Sequence, residues 1–304
     1  MMRIAIAGTN GFARLLAWVL ARQTSHQFII LSRNSNAALA EREGWQILRV
    51  DYNNGSDLRY KLSGVDTVIS TISGNAQIRL IEAAASVHVR RFVPSEFEGP
   101  PLLRPPNDLL DRNRRAALQR LQHFSQHGMT FTWFTCGIFY ERFAPGGLAA
   151  SGIGHSSGVS PEGHYIMNVR AMKASLPFMS TADEPVYLSM ISARDAARFV
   201  VAALDVPSWP TEWRMRGDRL TVSQVVEIGE QLQGREFERL NYTRDSLQHA
   251  LSHARTLNDS NRVKRVQQLI ATAEGRYDFA LTNLNDLVPV FPQSFRDWMF
   301  QAWS

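Results

Sequence analysis

The stretch RIAIAGTNGFARLLAWVL, residues 3–20, opens with a short apolar run of strand length and closes with Leu15, Leu16, Val19 and Leu20 at helical spacing. Between the two lies a turn with glycine at positions 8 and 11. A glycine turn set between a strand and a helix is where backbone N–H groups and the helix N-terminus hold a pyrophosphate. Arg14 occupies the place where such turns carry a third glycine, whose usual part is to allow close helix–strand packing. An arginine one turn into the helix must point outward, and Ala13 beside it is small enough to keep the approach close.

Working outward, QFIIL, WQILRV, DTVIS, RFVP and TFTWFT are further short apolar runs rich in β-branched or aromatic residues. Between them lie segments of helical spacing, such as Ile78, Ile81 and Ala85, or Leu118 and Leu121. The alternation predicts an α/β fold, a Rossmann-type doubly wound parallel sheet with right-handed crossovers. The character changes after Cys136: residues 137–170 carry seven glycines and little periodicity, the pattern of a functional loop that acts as a lid or pocket wall. PVYLSMI and SARDAARFVVAALDV read as a strand and a helix, and TEWRMRGDRLTVSQVVEIGEQL as a strand, a Gly-Asp turn and a helix capped by Thr221. The expected division is a nucleotide-binding core over residues 1–136 and a smaller, mostly helical C-terminal substrate lobe over 137–304, with the strand and helix of 186–204 returning to the core.

Composition narrows the classes. An apolar fraction of 44% over 304 residues excludes wholesale disorder. The longest apolar runs are strand-sized, far from the ~20 residues that span a bilayer, so no membrane partner is expected. Met1-Met2-Arg3 leads directly into the first strand, unlike a cleaved signal sequence, and the single cysteine, Cys136, permits no internal disulfide. A cytoplasmic protein is expected. The net charge of +5 rests on arginine, 30 residues against Lys61, Lys173 and Lys264. Only RNRR (112–115) and RVKR (262–265) are dense, and neither is interleaved with aromatics, so no nucleic-acid partner is expected. His123/His127 and His249/His253 are i, i+4 pairs, but neither brackets the glutamate of a zinc hydrolase, and no metal is expected.

Two positions bear on the nucleotide. The second strand ends in Ser32 and Arg33, where a site that prefers NAD carries an acidic residue; Arg33 can pair with a 2′-phosphate, which points to NADPH. The third strand is followed by Asp51, polar enough to sit near an adenine.

Taken with RFVPSEFEG (91–99), GIFYERF (137–143), ISARDAARFVVAAL (191–204) and GDRLTVSQVVEIGEQLQG (217–234), the turn GTNGFAR (8–14) gives a family resemblance over nearly the whole chain. It resembles the NmrA-like and isoflavone-reductase-like group of atypical short-chain dehydrogenases/reductases, the Pro-Ser-Glu-Phe segment being the most specific of these motifs. FYERFAPGGLAA and SSGVSPEGHYIMN are most similar to fungal members found among secondary-metabolism enzymes. The resemblance implies NADPH binding at Gly8, Thr9, Asn10, Gly11 and Phe12, with Arg33 on the 2′-phosphate. It further implies that Ser73, Gly74 and the segment Pro94, Ser95, Glu96, Phe97 lie along the ribose and nicotinamide. The group's reductases act on aromatic or phenylpropanoid-like substrates.

The chain departs from that pattern in one place. The group carries a lysine for proton delivery on the helix after Pro-Ser-Glu-Phe, and the matching region, NDLLDRNRRAALQRL, has none. Arg112, Arg114 and Arg115 are nearest; an arginine keeps its charge and so orients an anion without exchanging protons. The acid–base candidates that remain are Glu96, Tyr140, His155, His164 and Tyr165, of which Tyr165 and His155 lead as replacements for the lysine. Phe97, Phe139, Tyr140, Phe143 and Tyr165 suit a flat apolar substrate or, equally, a core, and Phe139 is read as core. Cys136 reads as a buried thiol.

Three functions remain open. The first is an NADPH-dependent reductase of a small aromatic or polyketide-like secondary metabolite. The second keeps fold and pocket without the redox step, as an isomerase, cyclase or dehydratase. The third is a dinucleotide sensor of the NmrA type that binds regulatory proteins. A monomer and a homodimer are both compatible with the sequence.

Overall fold

The structure, a computed structural model, describes residues 1–154, 159–178 and 185–304. It falls into two compact units. The first comprises residues 1–97, 111–135 and 197–213, and the second 98–110, 136–196 and 214–304. The chain thus crosses between the units more often than one boundary at residue 136 provides. Of the segment 186–204, only residues from 197 onward cluster with the first unit.

The first unit is built on six parallel strands: β1 Arg3–Ala7, β2 Gln27–Ser32, β3 Ile47–Arg49, β4 Thr67–Ser70, β5 Arg91–Val93 and β6 Thr130–Phe131. Their order across the sheet is β3-β2-β1-β4-β5-β6, the doubly wound arrangement in which the direction of strand progression reverses at β1. Helices α1 Gly11–Gln23, α2 Ala37–Glu43, α3 Gly55–Leu62, α4 Asn75–Ser86 and α5 Arg114–Ser125 provide the crossovers. Of the helical stripe read in the opening stretch, Leu16, Val19 and Leu20 are fully covered, as are Ile4 and Ile6 of β1, while Leu15 is half-buried. Each such leucine contributes about 2 kcal/mol by leaving water. On α3, α4 and α5, Leu58, Leu62, Leu80, Ile81, Ala117 and Leu121 close a second core with Ala5, Ala7, Val68 and Phe92 of the sheet.

TFTWFT is not one strand. Thr130 and Phe131 pair with Arg91 and Phe92, and the chain then turns away so that the Trp133 N–H donates to Thr211 O at 3.1 Å. Residues 133–135 form a separate short strand because their backbone partners come from elsewhere in the chain.

The second unit holds two three-stranded sheets. In one, β10 Tyr187–Ile191 lies between β7 Ile138–Phe139, parallel to it, and β11 Asp218–Thr221, antiparallel. In the other, β9 Lys173–Pro177 lies between β8 Met167–Asn168 and β12 Glu238–Tyr242. The helix α6, Ala193–Ala203, connects the units along the chain, and α7 Val222–Gln233, α8 Arg244–Thr256, α9 Ser260–Ala273 and α10 Phe295–Ala302 complete the second. Thr221 caps α7 through a reciprocal capping box with Gln224.

The glycine-rich segment 137–170 takes on order that its composition conceals. Ile138, Tyr140, Phe143, Tyr165, Ile166 and Met167 belong to one buried cluster with residues of β9, β10, α7 and α9. Gly137, in the left-handed region at φ 71°, lies against the Ser189 carbonyl, where a side chain would collide. The glycines let this segment run close to neighbouring backbone, so the described part of it is packed structure rather than an open lid. No described helix is long and apolar enough to cross a membrane.

Candidate functional site

The opening turn is closed from both sides. The Gly8 N–H donates to Leu31 O at 2.9 Å, which ties the turn to β2. On the β4 side, the Thr71 N–H and hydroxyl both donate to Ala7 O, at 2.9 and 2.8 Å. Gly8 has φ 112°, and a Cβ on it would collide with Thr71 Oγ1, so both conformation and space demand glycine. Asn10 caps α1: its Oδ1 accepts the Ala13 N–H at 3.0 Å while its Nδ2 donates to Thr71 O at 2.9 Å. Thr9, Asn10 and Gly11 are half-buried, whereas Phe12 is buried with its ring 4.7 Å from that of Phe97. Arg14 points outward as its position demands, its Nε donating to Thr9 O at 3.0 Å, and Ala13 is fully buried. This compact turn at a capped helix N-terminus, whose first residue has no room for a side chain, fits the pyrophosphate of a dinucleotide.

Arg33 is exposed at the end of β2. Ser32 before it is buried, its Oγ accepting from the Asn34 N–H at 3.2 Å and from Asn36 Nδ2 at 2.7 Å, which curls the loop back on the strand. Tyr52 lies buried beneath, its hydroxyl donating to Leu31 O at 3.1 Å; burial pushes its phenol up and the Arg33 charge pulls it partly back. The Asp51 carboxylate is exposed and accepts the Asn53 N–H at 2.8 Å.

The loops after β4 and β5 meet the start of α5 in a chain of contacts within the first unit. The Gly74 N–H donates to Arg112 O at 3.1 Å, and Asn113 Nδ2 donates to Asn75 Oδ1 at 2.9 Å. Arg112 and Asn113 are both left-handed, at φ 49° and 61°. Gln77 Oε1 accepts the Ser95 N–H at 2.7 Å. Glu96, buried in the Pro-Ser-Glu-Phe segment, faces Arg114 with 3.5 Å between Oε2 and Nη1, both side chains nearly out of solvent. Ser73, Gly74, Ser95 and Phe97 are half-buried and Pro94 is buried. Along the arginine row the contacts differ in kind: Arg112 is exposed and holds Gly74 through its carbonyl, the buried Arg114 side chain meets Glu96, and the Arg115 N–H donates to the Asp111 carboxylate at 3.1 Å.

Of the remaining acid–base candidates, Tyr140, His164 and Tyr165 are in the second unit, and the two tyrosines are closed to solvent. Tyr140 is fully buried; its hydroxyl donates to Gln293 O at 3.3 Å and toward Asp218 Oδ2 at 3.5 Å, and burial followed by the nearby carboxylates pushes its phenol far up. Tyr165 lies in the core with its hydroxyl 2.7 Å from Thr272 Oγ1, and burial raises it far above the ordinary phenol range. Phe139 and Phe143 are buried as well. Burial and the Arg265 charge push the half-buried His164 down. His155 lies outside the described residues. Cys136 is buried, its thiol pushed up by burial and by Glu98 and Glu141.

Sequence reasoning missed Gln77 and the buried Glu141. Gln77 shares a helix face with Ile81 and Ala84, at i, i+4 and i+7, so a polar residue on an apolar stripe was the available signal. Glu141 accepts the Ala193 N–H, at 3.0 and 2.9 Å to its two oxygens, and burial raises its carboxyl to about 7.

Residues 8–135 match a family model described as NAD(P)H-binding. This part of the chain is an NAD(P)H-binding domain. Over 98% of each chain, the protein is 26% identical to "Oxidoreductase BOA1" of Botryotinia fuckeliana (strain B05.10). Its fold is that of the leucoanthocyanidin reductase of Vitis vinifera, solved as a binary complex with NADPH, at a TM-score of 0.73 and 19% identity over 99% of each chain. It is also that of AtPrR2, solved with NADP+ and (+)pinoresinol, at a TM-score of 0.74 and 17% identity over 99% of this chain and 98% of that one. The resemblance read from the motifs holds at the level of the NAD(P)H-binding domain, oxidoreductase relatives and a reductase fold.

Proposed function

We propose that the protein is an NADPH-dependent reductase of a small aromatic or otherwise apolar metabolite. The observation that carries the reading is the turn at Gly8, closed between Leu31 and Thr71 with no room for a Cβ and followed directly by the capped N-terminus of α1. Gly8, Thr9, Asn10, Gly11 and Phe12 hold the pyrophosphate, Arg33 pairs with the 2′-phosphate, and Asp51 lies toward the adenosine half. Ser73, Gly74 and Pro94 to Phe97 line the nicotinamide half, with the half-buried Phe97 ring offering an apolar face to substrate. Support for an aromatic substrate comes from a neighbour of the same fold solved with pinoresinol. When bound, the cofactor supplies a hydride. The chain's own part is to orient it and exclude water. Glu96 and Arg114 act there as a fixed charge pair that sets orientation, since the guanidinium does not exchange protons.

Titration calorimetry tests the cofactor: NADPH binds more tightly than NADH, and Arg33→Asp reduces that ratio by about tenfold to a hundredfold. Equal affinities in the wild type overturn the assignment. A non-redox isomerase, cyclase or dehydratase on the same fold draws on the burial of both candidate tyrosine hydroxyls. Turnover of aromatic substrates with deuterated NADPH separates the two: deuterium in the product supports the reductase, and product without deuterium or cofactor oxidation defeats it.

A further inference from the structure

Gln77 stands in the first turn of α4, just after the loop that follows β4, and its side chain is fully buried. One end of its amide is used: Oε1 accepts the Ser95 N–H from the turn that follows β5. The other end, Nε2, is out of solvent and finds no hydrogen-bond partner among the described residues. An amide left half-satisfied in a core costs free energy that a methionine or leucine of similar volume would not incur. Around it, four contacts join the same loops: Gly74 to Arg112, Asn75 to Asn113, Gln77 to Ser95 and Glu96 to Arg114. Of the four, the Gln77–Ser95 bond alone runs directly from the first turn of α4 to the turn after β5. β4 and β5 are adjacent parallel strands, and open parallel sheets bind ligands beyond the carboxyl ends of such strands.

We propose that Gln77 is a positioning residue for the nicotinamide half of the cofactor. It holds the Pro94–Ser95–Glu96 turn against α4, so that the loops after β4 and β5 form one floor. The turn is also braced by its own Glu96 N–H to Pro94 O bond at 2.7 Å, by the Phe134 N–H donating to Glu96 O at 3.2 Å and by the Glu96–Arg114 pair, none of which reaches α4. A glutamine is kept at a core position because its oxygen reaches a backbone N–H on another loop. The inference rests on the proposed course of the cofactor along Ser73, Gly74 and Pro94 to Phe97.

The test uses the full chain and two probes, NADPH and 2′,5′-ADP, which carries the adenosine half without the nicotinamide. Gln77→Met is expected to melt within about 3 °C of the wild type, because losing the Ser95 contact is offset by removing the orphaned donor. Its NADPH affinity falls about tenfold while its affinity for 2′,5′-ADP stays unchanged. Unchanged affinity for both probes overturns the proposal, and so does an equal loss for both, the signature of a merely structural role. Should Gln77→Met fail to fold, hydrogen exchange on the wild type decides. Peptides containing Ser95 gain protection with NADPH and none with 2′,5′-ADP, and equal protection overturns the proposal. A wild type that binds neither probe refutes the cofactor reading itself, a different failure from a wild type that binds both and a variant that does the same.

Discussion

The turn at residues 8–12 and the segment at 137–170 are both glycine-rich, and they use glycine to opposite ends. At Gly8 the absent side chain lets two strand ends close together while Thr9, Asn10 and Gly11 stay half-exposed at the capped N-terminus of α1. At Gly137 the absent side chain lets backbone press against Ser189, and Tyr140, Phe143 and Tyr165 follow into a core. Glycine content marks close approach of backbone in either case. What distinguishes a binding turn from packed structure is where the neighbouring polar groups end up.

Four measurements sharpen or break that contrast. The largest effect belongs to the buried charge pair of the NAD(P)H-binding domain: Arg114→Met leaves Glu96 facing an apolar side chain and costs about 3–5 kcal/mol in a denaturant melt. The double variant Glu96→Gln/Arg114→Met regains most of that. A loss below 1 kcal/mol in the single variant would mean that the pair is solvated and not structural.

In the second unit, the carboxyl of Glu141 rises from its ordinary 4.5 to about 7, chiefly through burial. Between those values the folded state holds a proton that the unfolded chain has released. The contribution to stability is therefore complete below pH 4.5 and is lost as pH rises through 7, by at most about 3 kcal/mol. Glu141→Gln retains an oxygen for the Ala193 N–H and cannot ionise, so urea melts at pH 5 and pH 7.5 should differ less in the variant than in the wild type. An identical difference in both proteins would remove Glu141 from the account.

Gly8→Ala adds a side chain that meets Thr71 at a φ suited to glycine; the expected result is a loss of about 2–3 kcal/mol and of measurable NADPH binding by calorimetry. Binding at wild-type affinity would show that the turn is not the phosphate site. The smallest effect is that of Tyr165→Phe, about 1 kcal/mol for the hydroxyl that meets Thr272, with turnover retained. A large fall in turnover with stability unchanged would return Tyr165 to the chemistry.

Much of the first unit could be read in advance because its signals are local. β1 and α1 follow from the spacing of apolar residues, and the outward course of Arg14 from its place one turn into a helix. The sheet order follows from alternating strands and helices, since crossovers of one hand leave few arrangements. The tyrosines were not legible in the same way. The partner of Tyr165 is Thr272, and those of Tyr140 are Asp218 and Gln293, all far along the chain, so periodicity near either tyrosine carries no information about burial. The same holds for residues 98–110, which the sequence places beside the Pro-Ser-Glu-Phe turn but which cluster with the second unit. There Asp108 is buried against Arg276, and Arg104 lies 3.9 Å from the same carboxylate. A charged residue in such a loop reads as solvated until its distant counterion is known.

The order of synthesis adds a consequence of the first unit's three-part makeup. Its fifth strand is completed late: Arg91 on β5 donates to Leu204 O at 3.0 Å and to Pro207 O at 3.3 Å, and its guanidinium lies 4.6 Å from the Trp209 ring centre. A nascent chain that has emerged only to residue 136 carries the whole glycine fingerprint and still lacks these partners of Arg91. Closing that contact spans more than a hundred residues, a slow kind of event in folding. The first unit is complete only after residue 213 has left the ribosome, and a gene fragment cut at 136 should yield a less stable protein that lacks these contacts to Arg91.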